Sequence, residues 1–444
     1  MILSTPEAKT LTDKILALSK ADSCVVRLTG QEQGNIRFAL NNVTTSGYND
    51  DLTISIESSF GKRSGSVTTN EWNGDGLEAA VRKSEQIARL APANPEFMPP
   101  LGPQQYMEGN GYSKETAEGR PEKLASLCRP VLEAADTGKV NAAGFLSAGS
   151  GCSALATSKG LFAFDKSTSS LFTVTARTLD GRGSGWAGRN SHVISRLNTA
   201  QLGTTAVKKC RDSHEPSILE PGKYTVILEP SAVSDLLLTM LGSMDARSAD
   251  EGRSYFTKKG GGNKRGEKVC GDQVYITSDP QHEQAPGSIY TTDGLPAARL
   301  NWIEGGVVKD LTYSRYWAEK SGRQVVPYPT NLVMKGGTTS IDEMIRNTKR
   351  GVLVTRIWYI REVDPTTLVQ TGLTRDGTFL IENGKISRPI KNFRFNESPI
   401  AMLNNIEAMG PCERATGSES EEWPVYVPPL LVKSFTFSSL SDAI

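Results

Sequence analysis

The chain has 444 residues, of which 37% are hydrophobic and 22% charged, with a formal net charge of +1 at pH 7. That length exceeds what one hydrophobic core usually serves and suggests two or three domains, while the near-zero charge offers no field to hold nucleic acid or a membrane surface. No apolar run is long enough to span a bilayer, and the opening MILSTPEAKT lacks the basic and apolar regions of a signal peptide, so a cytoplasmic location is expected.

The first expected element is a helix with Thr5 as N-cap, Pro6 at the first helical position, and Ala8, Leu11, Ile15 and Leu18 as its apolar stripe. Residues 52–56 alternate apolar and polar, as a strand does. Asn73-Gly74-Asp75 opens a second helix whose inner face is Leu77, Ala80, Val81, Ile87 and Leu90. The proline-rich run 92–103 reads as a linker or a long crossing loop. A helix over about 121–135, Ser/Thr/Gly-rich strands to about Arg189 and a helix over about 199–210 follow. This half, residues 1–216, reads as an α+β domain with helices on a sheet.

The prolines and glycine of 214–222 mark the boundary. Residues 217–444 read as a mainly antiparallel β domain, barrel-like or a sandwich, with a few helices. A strand over 224–228 leads into a short helix that includes Leu236, Leu237 and Leu238. Residues 274–276 and 352–360 are strand-like, and Asn383-Gly384 supplies the turn of a hairpin. One helix begins at Ser340, with Glu343 completing a capping box, and is expected to end near Gly351. Another begins at Ser398-Pro399 and is expected to end near Gly410.

Two His-Glu pairs, His214-Glu215 and His282-Glu283, invite a zinc-hydrolase reading. Such a motif needs two histidines one turn apart on a single helix face. Pro216 and Pro286 oppose a helix at either place, and neither stretch holds a second histidine; the chain has only one more, His192. Both pairs read as exposed loop residues. No Gly-x-Ser-x-Gly elbow is present, since residues 149–151 and 183–185 sit among strand-like segments. Cys24, Cys128, Cys152, Cys210, Cys270 and Cys412 form no CxxC pair and read as reduced, mostly buried thiols. The basic glycine-rich stretch 258–268 lacks phosphate-loop spacing and reads as a solvated loop. Its Lys258, Lys259, Lys264 and Arg265 are the candidates for contact with an extended peptide or an anionic surface.

The second half carries a series of phrases in a fixed order: DEGRSYF at 250–256, GEKV at 266–269, DQVYI at 272–276 followed by Asp279-Pro280, then TDG at 292–294 and EGGVV at 304–308. GVLV at 351–354 and the hairpin LIENGKI at 380–386 with Pro389-Ile390 complete it, and GSVTTN at 65–70 extends it into the first half. In this the chain resembles the TldD/PmbA family over nearly its whole length. One branch of that family carries a His-Glu-x-x-x-His helix and a downstream cysteine that together hold zinc for peptide-bond hydrolysis. The other branch, TldE or PmbA, lacks those ligands and pairs with the first. The resemblance places the two histidine positions on Leu238 and Ser243, the glutamate position on Thr239 and the cysteine on Cys412, with Gly242 retained.

A leucine and two hydroxyls supply neither imidazole ligands nor a carboxylate base. The resemblance therefore implies a non-catalytic, TldE-like subunit with no cofactor of its own. Zinc is expected only in a TldD-like partner, and the substrates are unfolded or short peptides held by strand addition. The alternatives are a stand-alone peptide- or ligand-binding homodimer, and a cysteine hydrolase using Cys412. The family is also named for modulation of DNA gyrase, yet the charge balance and the absence of a basic helix give no basis for DNA contact.

Overall fold

The computed structural model describes residues 1–441. Helix α1 (Thr5–Leu18) is capped by Ser4, whose backbone N–H and hydroxyl both donate to Glu7, so the cap lies one residue earlier than expected and Pro6 takes the second helical position. Strands β1 (Ser23–Ala39), β2 (Asn42–Phe60), β3 (Arg63–Thr69), β4 (Val140–Thr157), β5 (Phe162–Thr178) and β6 (Ser184–Ser191) form one antiparallel sheet in the order β3-β2-β1-β4-β5-β6. Helices α2 (Gly74–Leu90), α3 (Lys114–Ala117), α4 (Pro121–Gly138) and α5 (Thr199–Asp212) complete this half.

Side chains along a strand alternate between faces, and the even-numbered positions of β1 and β4 carry the apolar set. Val26, Leu28 and Ala154 meet α1 and α2 at one end, while Ile36, Phe38, Leu146 and Ala148 meet α4 and α5 at the other. All the long helices therefore lie on one face, leaving the hydroxyl-rich odd face to the second half of the chain. The expected inner face of α2 is corrected at its end. Ile87 and Leu90 are exposed, and Ser84, Glu85 and Ala88 are buried instead. The reason is polar: the Ser84 and Ser58 hydroxyls bond at 2.7 Å beneath the helix, and Glu85 accepts from the backbone of Lys20 at 2.5 Å.

The proline-rich run is a crossing loop that touches both halves. Leu101 O accepts from Thr157 Oγ1 at 2.8 Å, Pro99 O accepts from Arg315 at 2.6 Å, and Glu96 takes two bonds of 2.8 Å from the Arg247 fork.

The second half contains two open sheets. One includes β7 (Lys223–Leu228), which runs parallel to Arg350–Val354 and antiparallel to the long strand Leu430–Leu440. The other includes Tyr275–Ser278, Leu332–Met334, Val425–Val427 and Glu413–Ala415. Helix α6 (Pro230–Gly242) lies between them, packing on Glu413–Ala415 and Val425–Val427 on one side and on β7 and Ile357–Asp364 on the other. Being covered on both sides, it is apolar nearly all round. This is a mixed α+β fold.

Three element boundaries differ from expectation. Residues 352–360 are not one strand, because the chain turns at Thr355-Arg356, where Thr355 Oγ1 donates to Gly377 O at 3.0 Å and Arg356 pairs with Asp376 at 2.8 Å. The helix from Ser340 stops at Asn347 and the helix from Ser398 stops at Asn404, well short of the glycines. In the second case the Asn404 and Asn405 side chains bond the carbonyls of Ile400 and Ala401 at 3.0 and 2.8 Å, satisfying the last turn and freeing Ile406–Met409 to pair with Leu430–Leu440. The hairpin is as expected, with Asn383 and Gly384 at φ of 50° and 78°.

Strand β6 is an edge strand, and the second half covers it. Ser184 Oγ donates to Asp376 at 2.6 Å, the Arg356 guanidinium lies 4.4 Å from the Trp186 ring centre, and Arg189 pairs with Glu413 at 2.7 Å. On its other side, α5 comes so close that a Cβ on Gly185 would lie 2.3 Å from Ala206 O and Cys210 N, both backbone atoms. Gly185→Ala is expected to cost about 1–3 kcal/mol of stability through overpacking. Denaturant unfolding measures this, and an unchanged midpoint would mean that α5 lifts away freely.

Candidate functional site

Leu238 and Thr239 on α6 and Ser243 at its C-cap are all half-buried. Neither hydroxyl is presented for outside chemistry: Thr239 Oγ1 donates to Leu236 O at 2.8 Å and Ser243 Oγ to Thr239 O at 3.2 Å, both within their own helix. Cys412, just before Glu413–Ala415, is half-buried and its Sγ donates to Met334 O at 3.1 Å. Burial pushes its thiol up to about 11, so it is neutral at physiological pH, poorly suited to ligate a metal or act as a nucleophile. An alkyl group, two self-satisfied hydroxyls and one protonated thiol do not fit a zinc ion. Among the described residues, no group of three His, Cys, Asp or Glu side chains stands close enough to hold a metal.

The His-Glu pairs are likewise apart. His214 bonds Asp180 at 2.9 Å at the end of the first half. His282 is half-buried rather than an exposed loop residue. Its Nδ1 accepts from Ala285 N at 3.2 Å and its ring lies 4.9 Å from that of Tyr426, so it shapes the turn that Pro286 continues.

What α6 does hold is a carboxylate. Asp235 is fully buried and accepts five bonds from one loop: from the backbone N–H groups of Ser418, Glu419 and Ser420 at 2.8, 3.1 and 3.0 Å, and from the hydroxyls of Ser418 and Ser420 at 3.1 Å each. Burial pushes the carboxyl up, and these donors oppose that rise. The fit is close, since a Cβ on Gly417 would fall 2.1 Å from Asp235 Oδ1. Asp235 was not singled out from the sequence, although a lone charge inside the apolar run 232–241 was the available signal.

A second feature lies between the odd face of the first sheet and the second half. It is a cavity of about 580 Å³ with Ser153, Ser167 and Ser169 on its floor and Tyr290, Tyr328 and Trp423 on its walls. Arg414 and His192 also line it. Arg414 Nε donates to Asn190 Oδ1 and its Nη1 to Gln284 O at 3.2 Å. Burial presses its guanidinium down to about 9, which leaves it a cation at neutral pH. Burial, with the charges of Arg196 and Arg414, lowers His192 to about 4, so its ring is neutral, and its Nδ1 has no hydrogen-bond partner. Neither residue carried a sequence signal: the partners of Arg414 lie 130 and 224 residues away, and His192 Nδ1 has none.

The four basic loop residues lie elsewhere and none lines this cavity. Lys258 pairs with Glu267 at 3.0 Å, Arg265 pairs with Asp310 at 2.9 Å, and Lys264 Nζ sits 3.6 Å from the Tyr255 ring centre. Lys259 is exposed.

The fold is a sheet with its helices on one face, joined to a two-sheet half with a helix buried between the sheets. Residues 221–439 match the PmbA/TldA metallopeptidase C-terminal domain and residues 24–88 match PmbA/TldA metallopeptidase domain 1. The chain belongs to the TldD/PmbA family. It is 26% identical over 230 residues, 47% of each chain, to a metalloprotease of Methanothermobacter thermautotrophicus. It is also 26% identical over 240 residues to a zinc metalloprotease TldD homologue of Saccharolobus solfataricus, 49% of this chain and 50% of that one. The chain thus spans about half the length of the curated relatives it matches. In fold it is similar to TldE from Thermococcus kodakarensis, with a TM-score of 0.84 at 16% identity over 97% of this chain and 99% of that one.

Two outcomes are expected from this geometry. Asp235→Ala strands three backbone donors and should cost at least about 3 kcal/mol in urea unfolding, with Gly417→Ala also destabilising. A loss below about 1 kcal/mol in Asp235→Ala would show that water replaces the carboxylate. Cys412 should react with chloroacetamide at neutral pH far more slowly than an ordinary thiol, its rate still climbing at the alkaline end of the range. Peptide mass spectrometry reads this directly, and rapid modification at neutral pH would contradict a buried, protonated thiol.

Proposed function

We propose that this chain is a non-catalytic, metal-free subunit of a TldD/TldE-type metalloprotease that acts on unfolded or short peptides. The observation that carries this reading is the set Leu238, Thr239, Ser243 and Cys412, which offers no imidazole and no carboxylate where the resemblance locates the zinc ligands and base. The neutral Cys412 thiol argues equally against a cysteine hydrolase. Zinc and the proton-transferring glutamate come from a TldD-like paralogue, and this chain contributes peptide-holding surface. The outer edge of β3, unpaired among the described residues, suits an extended backbone that adds as a strand. Six free cysteines accord with the reducing cytoplasm.

Elemental analysis of the purified chain should find zinc well below one equivalent. Mixed with a zinc-bearing paralogue, the chain should co-migrate on size exclusion, and the pair should cleave unstructured peptides in a chelator-sensitive way. Stoichiometric zinc in the lone chain, or chelator-resistant peptidase activity from it, would overturn the assignment. Peptide binding by a self-paired form that ignores the paralogue would favour the stand-alone homodimer.

A further inference from the structure

We propose that the cavity between the first sheet and the second half is a carboxylate-binding site in which Arg414 grips the terminal carboxylate of a small, partly apolar ligand, the C-terminus of a short peptide being the source favoured here. The peptide source rests on the function proposed above; the carboxylate chemistry does not.

The argument begins with unspent hydrogen-bonding capacity. Arg414 commits Nε to Asn190 and one N–H of Nη1 to Gln284, and Nη2 has no hydrogen-bond partner among the described residues. A guanidinium carries five N–H donors, so the end-on fork formed by Nη1 and Nη2 remains available, the geometry that receives a carboxylate through two parallel bonds. Nor is Arg414 ion-paired. Its neighbour Glu413 is engaged by Arg189 at 2.7 Å, and no carboxylate lies within ion-pair distance of Arg414 among the described residues. Holding a cation in such an enclosed place without a counter-charge is costly, and the arrangement is explained if an anion completes it.

The surroundings suit the rest of such a ligand. Two bonds fix the guanidinium before anything arrives, so little entropy is lost on capture. Neutral His192 adds no competing charge beside it. The serine floor can bond a peptide backbone, and the aromatic walls can cover an apolar side chain. Two carboxyls also line the cavity, and neither is within ion-pair distance of Arg414. Glu422 is bonded to Ser169, and Asp165 sits six residues before Leu171, the β5 partner of Asn190, which is about 20 Å along the strand. Arg27, paired with Glu57 at 3.2 Å, lines the Asp165 end, so the Arg414 fork alone sets where a carboxylate would sit.

The test is calorimetric titration of the full chain with N-acetyl-trialanine as the free acid and as the amide, and with 3-phenylpropionate. The free acid should bind about tenfold or more tightly than the amide. Arg414→Gln should erase that difference. Because Arg414 also holds Asn190 and Gln284, the acid-to-amide comparison in the unaltered protein stands as evidence even if the variant misfolds. Binding of 3-phenylpropionate alone, lost in Arg414→Gln, would uphold the carboxylate site and remove peptides as its ligand. Equal binding of acid and amide would overturn the Arg414 grip and leave the peptide-holding function intact, and no binding by any of the three would overturn the site.

Discussion

The structure depends on how one strand edge is covered. β6 ends the first sheet, and an uncovered edge invites pairing with other chains. Here the second half covers it with side chains, through Asp376, Arg356 and Glu413, each set against a different residue of β6. Asn190, near the end of the same strand, donates to Glu421 O at 2.5 Å and accepts from Arg414. The contacts that finish the sheet therefore also build one wall of the cavity. Nearby, Lys209 of α5 pairs with Glu229 at the N-cap of α6 at 2.6 Å, tying the buried helix to the first half.

Three buried charges near this junction are handled in three ways. Asp376, 2% exposed, is neutralised by Arg356 and bonded by Ser184, and so acts as a rivet. Asp235 pairs with no cation among the described residues and is satisfied by backbone and hydroxyl donors. Arg414 is only partly satisfied. The first two follow the rule that enclosed charges need complete partners, and the third departs from it beside an open volume. Departures of that kind tend to mark places where a molecule from outside supplies what is missing.

Much of the architecture was legible in the sequence, because it is written in short-range patterns. The helix periodicities of α2, α4 and α5, the Asn383-Gly384 turn and the break at 92–103 all depend on neighbours a few residues apart. The errors arose where distant polar contacts overrode local pattern. The buried face of α2 is fixed by Ser58 and Lys20, outside the helix, and the strand over 352–360 is broken by Asp376 and Gly377 across the sheet. The candidate site was legible only in what it lacks: Leu238, Thr239 and Ser243 can be read off one helix. Asp235 and Arg414 acquire meaning through partners 183 and 224 residues away, which no local reading supplies.

The anchoring of α6 has a wider implication. In a protein whose central helix is fastened by an ion, shape is hostage to supply, and scarcity or scavenging can loosen it. Here the fastening is a side chain gripping its own loop by nitrogen and oxygen contacts, all encoded in the polypeptide. The contacts that hold α6 to its loop are thus in place as soon as the chain has folded.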